Sequence, residues 1–290
     1  MAFEKNQYDV VLFQPPAEVV REHHDTPPYP HIGIAYVGGY LEEHAGITPA
    51  LVDGKLSRHT VQDTIDVIVA LKPKLLGITA KTHEVLTAIR IATEVKKALG
   101  ELTIVLGGFH GSFLPERSLS EFPVVDYVVV GEGELAFIDV VKAVLGGKSA
   151  AGIPGVAYRE DGKPVLNGRG TIPDTLDELG APAYHLFDPQ VMKDHCTALA
   201  IMSQRGCPFE CNFCSRPYGR TVRARSPEAV AQEFATGLQD FGVTEYHFFD
   251  ETFTVKKSHV TGICDALIER DLARRVKWRS MVWNSFNLFY

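Results

Sequence analysis

Cysteine is missing from the first 195 residues of this chain, and all five fall between Cys196 and Cys264. No apolar run reaches membrane-spanning length, and the start, Met-Ala-Phe-Glu-Lys-Asn, lacks the apolar stretch of a signal peptide. Nothing therefore points to an oxidising compartment or a disulfide framework, and a cytoplasmic, reducing setting is expected, one that suits thiolates. Positive charge is in short supply. A net charge of −7 argues against a nucleic-acid-binding surface as the main business. The first apolar run is not followed by GxGxxG, which excludes the usual nicotinamide fingerprint. At 45% hydrophobic and 22% charged, the chain has an ordinary globular composition, and its 290 residues suit two domains better than one.

What is present is concentrated in Cys207-Pro208-Phe209-Glu210-Cys211-Asn212-Phe213-Cys214. This CxxxCxxC loop follows the apolar run Ala198–Ser203 and the polar turn Gln204-Arg205-Gly206. A disulfide would use two of these thiols and strand the third. A structural zinc site needs four ligands, usually in two separated pairs, and no second CxxC or HxxxH exists. Inert packing is poorly served by three cysteines within eight positions. The spacing favours an iron–sulfur cluster with one coordination position left open, zinc and no metal being the alternatives. Cys196 and Cys264 lie outside the loop and read as small core residues.

From the N-terminus, short β-branched runs alternate with helical periodicity. Tyr8–Gln14 reads as a strand ending at Pro15-Pro16, a loop continues through Arg21–Pro30, and Ile34, Val37, Tyr40 and Leu41 then mark a helix stopped by Gly46. Strands follow at 47–52, 75–79, 102–106 and 124–130, with helices after the second and third and a last helix to about Leu145. Such alternation predicts a doubly wound, flavodoxin-like parallel sheet covered on both faces, with ligands beyond the strands' carboxyl ends. Those ends carry Asp53-Gly54, Thr79-Ala80-Lys81-Thr82, Gly107-Gly108-Phe109-His110 and Gly131-Glu132-Gly133-Glu134. His31, His110 and the pair His23-His24 read as loop or surface histidines.

Residues 146–152 read as a small polar linker, 156–167 as a hairpin around Asp161-Gly162, and 171–188 as a Pro- and Asp-rich spacer along a domain junction. Beyond the cysteine loop, Arg216, Arg220, Arg223 and Arg225 with Tyr218 form either a solvated basic stretch or a holder of carboxylate or phosphate groups. Ser226-Pro227-Glu228 reads as a capped helix start, running to about Phe241 and stopped by Gly242. A strand at 245–249 ends in Asp250-Glu251, a helix spans 258–270, and a third strand is expected over 276–283. The acids at 250 and 251 could instead cap the helix that follows.

With Phe213 before the last cysteine, the loop resembles the CxxxCxΦC signature of radical S-adenosylmethionine (SAM) enzymes. The resemblance implies a [4Fe–4S] cluster on Cys207, Cys211 and Cys214, SAM chelating the fourth iron and cleaved to a 5′-deoxyadenosyl radical, and Phe213 against the adenine. It also implies that Asp250 and Glu251 lie near the cluster and SAM. The first half resembles the cobalamin-binding domain that precedes many radical SAM domains. The residues that carry this likeness are Pro15-Pro16, Tyr29-Pro30 with Gly33, Asp53-Gly54, Gly107-Gly108-Phe109-His110 and Gly131-Glu132-Gly133-Glu134. Thr79, Thr82, Gly107 and Gly108 would then line the channel for the cobalamin nucleotide tail. One departure is clear. DxHxxG, whose histidine ligates cobalt from below in many cobalamin proteins, is absent: Asp53 is followed by Gly54-Lys55-Leu56, and His59 lies too far along, so a cobalt without that ligand is expected. The alternative is a sheet whose glycines are only turns and which holds no cofactor.

The resemblance thus implies a cobalamin-binding domain over 1–145, a hairpin and linker over 146–196, and the first half of a radical SAM (βα) barrel over 197–290. A partial barrel leaves Trp283, Phe286, Phe289 and Tyr290 unsheltered, and this chain alone would bind and cleave SAM poorly. The favoured activity is cobalamin-dependent methyl transfer to an unactivated carbon or to phosphorus, on a small-molecule substrate, with a reductant such as flavodoxin or ferredoxin and no nucleic acid or membrane. A non-methylating enzyme such as an anaerobic tetrapyrrole ring cyclase, or a cobalamin- and SAM-binding fragment without turnover, are the other readings. A methylthiotransferase is disfavoured, because its N-terminal half would bring three more cysteines.

Overall fold

The computed structural model describes Phe3 and residues 8–20 and 25–280. His23, His24 and the tail at Trp283, Phe286, Phe289 and Tyr290 lie outside the described residues. Two compact units divide the chain: Met1–Ile172 with Pro182–Asp194, and Pro173–Ala181 with His195–Tyr290.

The first unit is built on strands β1 (Val10–Gln14), β2 (Ala50–Asp53), β3 (Leu75–Thr79), β4 (Thr103–Gly107) and β5 (Tyr127–Val129). They pair in parallel in the order β2-β1-β3-β4-β5, the flavodoxin-like winding. All five residues of β1 and all four of β2 are buried, which is why their sequences run apolar instead of alternating. Helices α1 (Ile32–Ala45), α2 (Val61–Leu71), α3 (Val85–Leu99) and α6 (Gly133–Leu145) cover the faces, α1 packing with α6 and α2 with α3. Val11 and Phe13 share a core with Ile68, Ile91 and Val95, while Leu12 approaches Phe137 on the other side. Each such burial contributes roughly 1.5–3 kcal/mol. Thr60 caps α2 through a reciprocal box with Asp63, as a Thr three residues before an acid allows.

Two features differ from expectation. The sheet is mixed, not purely parallel: the hairpin β6 (Val156–Glu160) and β7 (Lys163–Leu166) adds to β5 in antiparallel fashion and makes seven strands. Asp161 and Gly162 both take positive φ, the requirement of a two-residue hairpin turn. Between β4 and β5 the chain forms two short helices, α4 (Gly108–Phe113) and α5 (Pro115–Glu121), where periodicity showed nothing. Six or seven residues are too few for a legible 3.6-residue pattern. A further short helix, α7 (Pro189–His195), ends where the chain passes back into the second unit.

The second unit holds β8 (Ala198–Ile201), β11 (Glu245–Phe248) and β12 (Lys277–Ser280), parallel in the order β12-β11-β8. Helices α8 (Pro227–Phe241) and α9 (Lys257–Glu269) lie in the two crossovers and pack together. Ser226 caps α8, Pro227 opens it and Gly242, left-handed at φ 66°, closes it, as the sequence indicates. Tyr246 is fully buried, and its hydroxyl donates to the Phe234 carbonyl at 2.8 Å. Among its described residues this unit contains three parallel strands and no closed barrel. Strands β9 (Gln204–Arg205) and β10 (Arg223–Ala224) pair antiparallel, so the Arg205–Arg223 rung ties together the two ends of the cysteine loop.

Candidate functional site

The cysteine loop leaves the sheet at the carboxyl end of β8. Gly206 has φ 95°, and a Cβ there would lie 2.2 Å from the Thr221 carbonyl, so only glycine lets the two strands of the loop cross. Cys207 donates its backbone N–H to the Gly219 carbonyl at 3.0 Å, and Cys214 donates its own to Cys211 at 3.1 Å. Cys207 is half-buried, while Cys211 and Cys214 are exposed and Phe213 is 85% exposed. Among the described residues no three His, Cys, Asp or Glu side chains are gathered at metal-ligating distance. The loop is thus no preformed cage, yet its donor set of three soft thiols on one short turn fits an iron–sulfur cluster.

The loop following β11 holds this turn from beneath. Asp250 accepts from the backbone N–H of Ser203 at 2.7 Å and of Gln204 at 3.2 Å, and from the Ser203 hydroxyl at 2.5 Å. His259, on α9, reaches the same hydroxyl at 2.9 Å through Nε2. Burial pushes the Asp250 carboxyl up to about 7 against these hydrogen bonds, and burial lowers His259. Glu251 accepts the Gly206 N–H at 2.9 Å, and the Gln204 side chain donates to the Thr252 carbonyl. These acids do not cap α9: its N-cap is Lys256, with no side-chain bond. Ser203, Thr252 and His259 were not singled out by sequence, since a lone serine, threonine or helix histidine carries no pattern.

The basic stretch divides. Arg225 is buried and ion-paired to buried Glu233, a structural pair, not a solvated charge. Arg220 pairs with Glu210 at the surface, Arg223 bonds the Pro173 carbonyl, and Tyr218 lies 5.3 Å under the Arg205 guanidinium. Burial pushes the Cys196 thiol up to about 12 and also raises that of Cys264; both are half-buried.

In the first unit, the residues beyond β3 and β4 come together. Gly108, at φ 74°, approaches so closely that a Cβ would sit 2.8 Å from the Ala80 nitrogen and from Thr79 Oγ1. At Gly107 nothing lies nearer than the Ile78 carbonyl at 3.5 Å, so its side-chain position faces room. Thr79 is half-buried and Thr82 exposed. His110 corrects the surface assignment: it is 6% exposed on α4, its N–H bonds the Ala80 carbonyl at 3.0 Å, and Nδ1 lies 3.3 Å from Thr82 Oγ1. Its Nε2 is buried without a hydrogen-bond partner. A glycine with an open face, two threonine hydroxyls and an unpartnered buried imidazole nitrogen fit the tail of a bulky, polar cofactor such as cobalamin.

Beyond β2, Asp53 is 2% exposed and accepts the N–H groups of His31 at 2.8 Å and of Lys55 and Leu56 at 3.0 Å. Burial raises its carboxyl to about 6 against those bonds. His31 is the N-cap of α1, accepting from Ile34 through Nδ1, and burial lowers it to about 4. Lys55 stands where DxHxxG would place its histidine; it is 4% exposed and pairs with buried Glu84 at 2.7 Å.

Comparison with known proteins bears on the chain as a whole. Residues 24–141 match the B12 binding domain family. An uncharacterized methyltransferase of Pyrococcus horikoshii is 32% identical over 257 residues, 88% of this chain and 56% of that one. The anaerobic magnesium-protoporphyrin IX monomethyl ester cyclase of Rubrivivax gelatinosus is 31% identical over 253 residues, 84% of this chain and 45% of that one. The chain therefore spans about half the length of the curated relatives it matches. Among solved structures, the radical SAM methyltransferase TsrM from Kitasatospora setae, with cobalamin and a [4Fe–4S] cluster bound, superposes with a TM-score of 0.72 at 19% identity, over 94% of this chain and 56% of that one. At that identity the likeness is one of fold. No helix among the described residues is long and apolar enough to cross a membrane. The chain carries a B12-binding domain and is related to the cobalamin-dependent radical SAM enzymes, of which it covers a part.

Proposed function

We propose that this chain carries the cobalamin-binding and cluster-binding parts of a radical SAM methyltransferase that acts on an unactivated carbon or on phosphorus. The observation that carries the reading is the CxxxCxxC loop at the carboxyl end of β8, in the same chain as a B12-binding domain. When bound, a [4Fe–4S] cluster would supply the electron that cleaves SAM, and cobalamin a transferable methyl group. The protein's part is to hold and orient. Cys207, Cys211 and Cys214 are the ligands, and the exposed Phe213 ring offers an adenine a stacking face. Thr79, Thr82 and the open face of Gly107 line the tail channel. Asp250 and Glu251 act on the cofactors chiefly by fixing residues 203–206 ahead of the first ligand. The electron donor is a flavodoxin or ferredoxin and the substrate a small molecule. The likeness to the Rubrivivax cyclase supports a second reading, a non-methylating tetrapyrrole cyclase.

The test is anaerobic reconstitution followed by metal, sulfide and cobalamin analysis. About four iron and four sulfide per chain, with bound cobalamin, are expected. Stoichiometric zinc without iron would end the radical reading. A methyl group carried from labelled SAM to product separates the methyltransferase from the cyclase.

A further inference from the structure

Three consecutive residues after β11 each hold a successive piece of the segment leading into the cysteine loop. Asp250 takes the amides of Ser203 and Gln204, Glu251 takes the amide of Gly206, and Thr252 reaches Cys207 itself, its Oγ1 lying 3.2 Å from Sγ. The Thr252 backbone is fixed in turn, because the Gln204 side chain donates to its carbonyl. The hydroxyl is thus held in place from both ends of the contact. Cys207 is the anchored thiol of the three, while Cys211 and Cys214 are exposed and no hydrogen bond to either sulfur is seen among the described contacts.

We propose that Thr252 is a positioning residue for the cluster: its hydroxyl donates a hydrogen bond to the Cys207 thiolate, orients that ligand and makes the cluster easier to reduce. The inference rests on the reading that Cys207, Cys211 and Cys214 carry the cluster. Its direction follows from charge. A ligating cysteine is a thiolate with no proton to give, so the hydroxyl must be the donor. Reduction adds one negative charge, which spreads onto the sulfurs, so a donor aimed at one of them stabilises the reduced form more than the oxidised. Partners outside the ligand shell tune a metal centre in this way. A second consequence is asymmetry: with one ligand fixed in advance, ordering is left chiefly to the 211–214 half of the loop.

The test is a redox titration of the anaerobically reconstituted 290-residue chain, followed by the electron paramagnetic resonance signal of the reduced cluster. Thr252→Val keeps the shape and removes the donor; Thr252→Ser keeps the donor; Thr261→Val, on an exposed part of α9, is the control. Wild type, Thr252→Ser and Thr261→Val should share one midpoint potential. Thr252→Val should be harder to reduce, by up to a tenfold change in the equilibrium constant, about 59 mV for one electron. Cluster loss in Thr252→Val with retention in Thr252→Ser supports the same hydroxyl role. A normal cluster in wild type and Thr252→Val with equal potentials and spectra overturns the inference while leaving the function standing. Absence of any cluster in wild type overturns both.

Discussion

The two adjacent glycines after β4 serve different ends, and substitution separates them. At Gly108 the backbone is left-handed, which costs a non-glycine residue about 1–2 kcal/mol. An alanine Cβ would also meet the Ala80 nitrogen at 2.8 Å and its carbonyl oxygen at 3.0 Å. Backbone cannot swing aside as a flexible side chain can, and that same carbonyl accepts the His110 N–H. Gly108→Ala should therefore cost about 2–4 kcal/mol in all, which for a unit of this size is roughly 5–15 °C in melting temperature. At Gly107 the backbone is extended (φ −130°, ψ −156°) and the nearest atom to a Cβ is 3.5 Å away. Gly107→Val should melt within about 2 °C of wild type, since a β-branched residue suits a strand end. It should nonetheless weaken cobalamin binding by tenfold or more, by filling the tail channel. Calorimetry of the cofactor-free chain reads the first effect and a visible-absorbance cobalamin titration reads the second. Wild-type melting of Gly108→Ala would refute the close-approach argument, and wild-type affinity of Gly107→Val would refute the channel.

Asp53 should give the first unit a pH signature. Its carboxyl is raised from the ordinary range to about 6, so the stability tied to its proton is fully present below about pH 4 and is lost as pH rises through 6. The amount is about 3 kcal/mol. Asp53→Asn should flatten that slope in denaturant titrations between pH 4 and 7, and should cost a further 1–3 kcal/mol because one oxygen replaces two for three buried N–H donors; an unchanged slope would refute the assignment. For the cysteines, alanine at 207, 211 or 214 should abolish the roughly 400 nm absorption of a cubane cluster. Alanine at 196 or 264 should not, since burial keeps both thiols protonated at neutral pH. Cluster loss in Cys196→Ala would contradict this.

Much of the fold could be read from residues because its signals are long and local. Helices α2 and α3 run over Val61–Leu71 and Val85–Leu99, as their apolar periodicity and the following Pro73 and Gly100 indicate. The winding β2-β1-β3-β4-β5 follows from buried parallel strands joined by short helical crossovers. What stayed hidden was short or non-local. The hairpin was legible as a hairpin from Asp161-Gly162, but its pairing with β5 depends on strands some thirty residues apart. His110 looked like a loop residue because α4 is a single turn and a half that begins with glycine. Arg225 was grouped with Arg216, Arg220 and Arg223, as a solvated or anion-holding arginine, because its partner Glu233 belongs to the following helix. The three-cysteine loop stood out because its spacing is a local signal; Thr252, which needs a contact across forty-five positions, did not.

The strand-end acids show how a motif can be found correctly and still leave its role to geometry. Sequence put Asp250 and Glu251 at the end of a strand, and the resemblance put them near the cluster and SAM. In the structure both oxygens of Asp250 are engaged: Oδ1 by two amides and Oδ2 by the Ser203 hydroxyl. A carboxylate has about four acceptor positions, and three here are taken, with Asp250 itself only 7% exposed. The cost of burying it, seen in a carboxyl raised to about 7, is offset by those three donors. Little of its bonding capacity is left for a cofactor, and all of it acts on residues 203 and 204. The effect is then mechanical: an acid at the end of one strand fixes the exit of the neighbouring strand, and the first cysteine inherits its position from that exit.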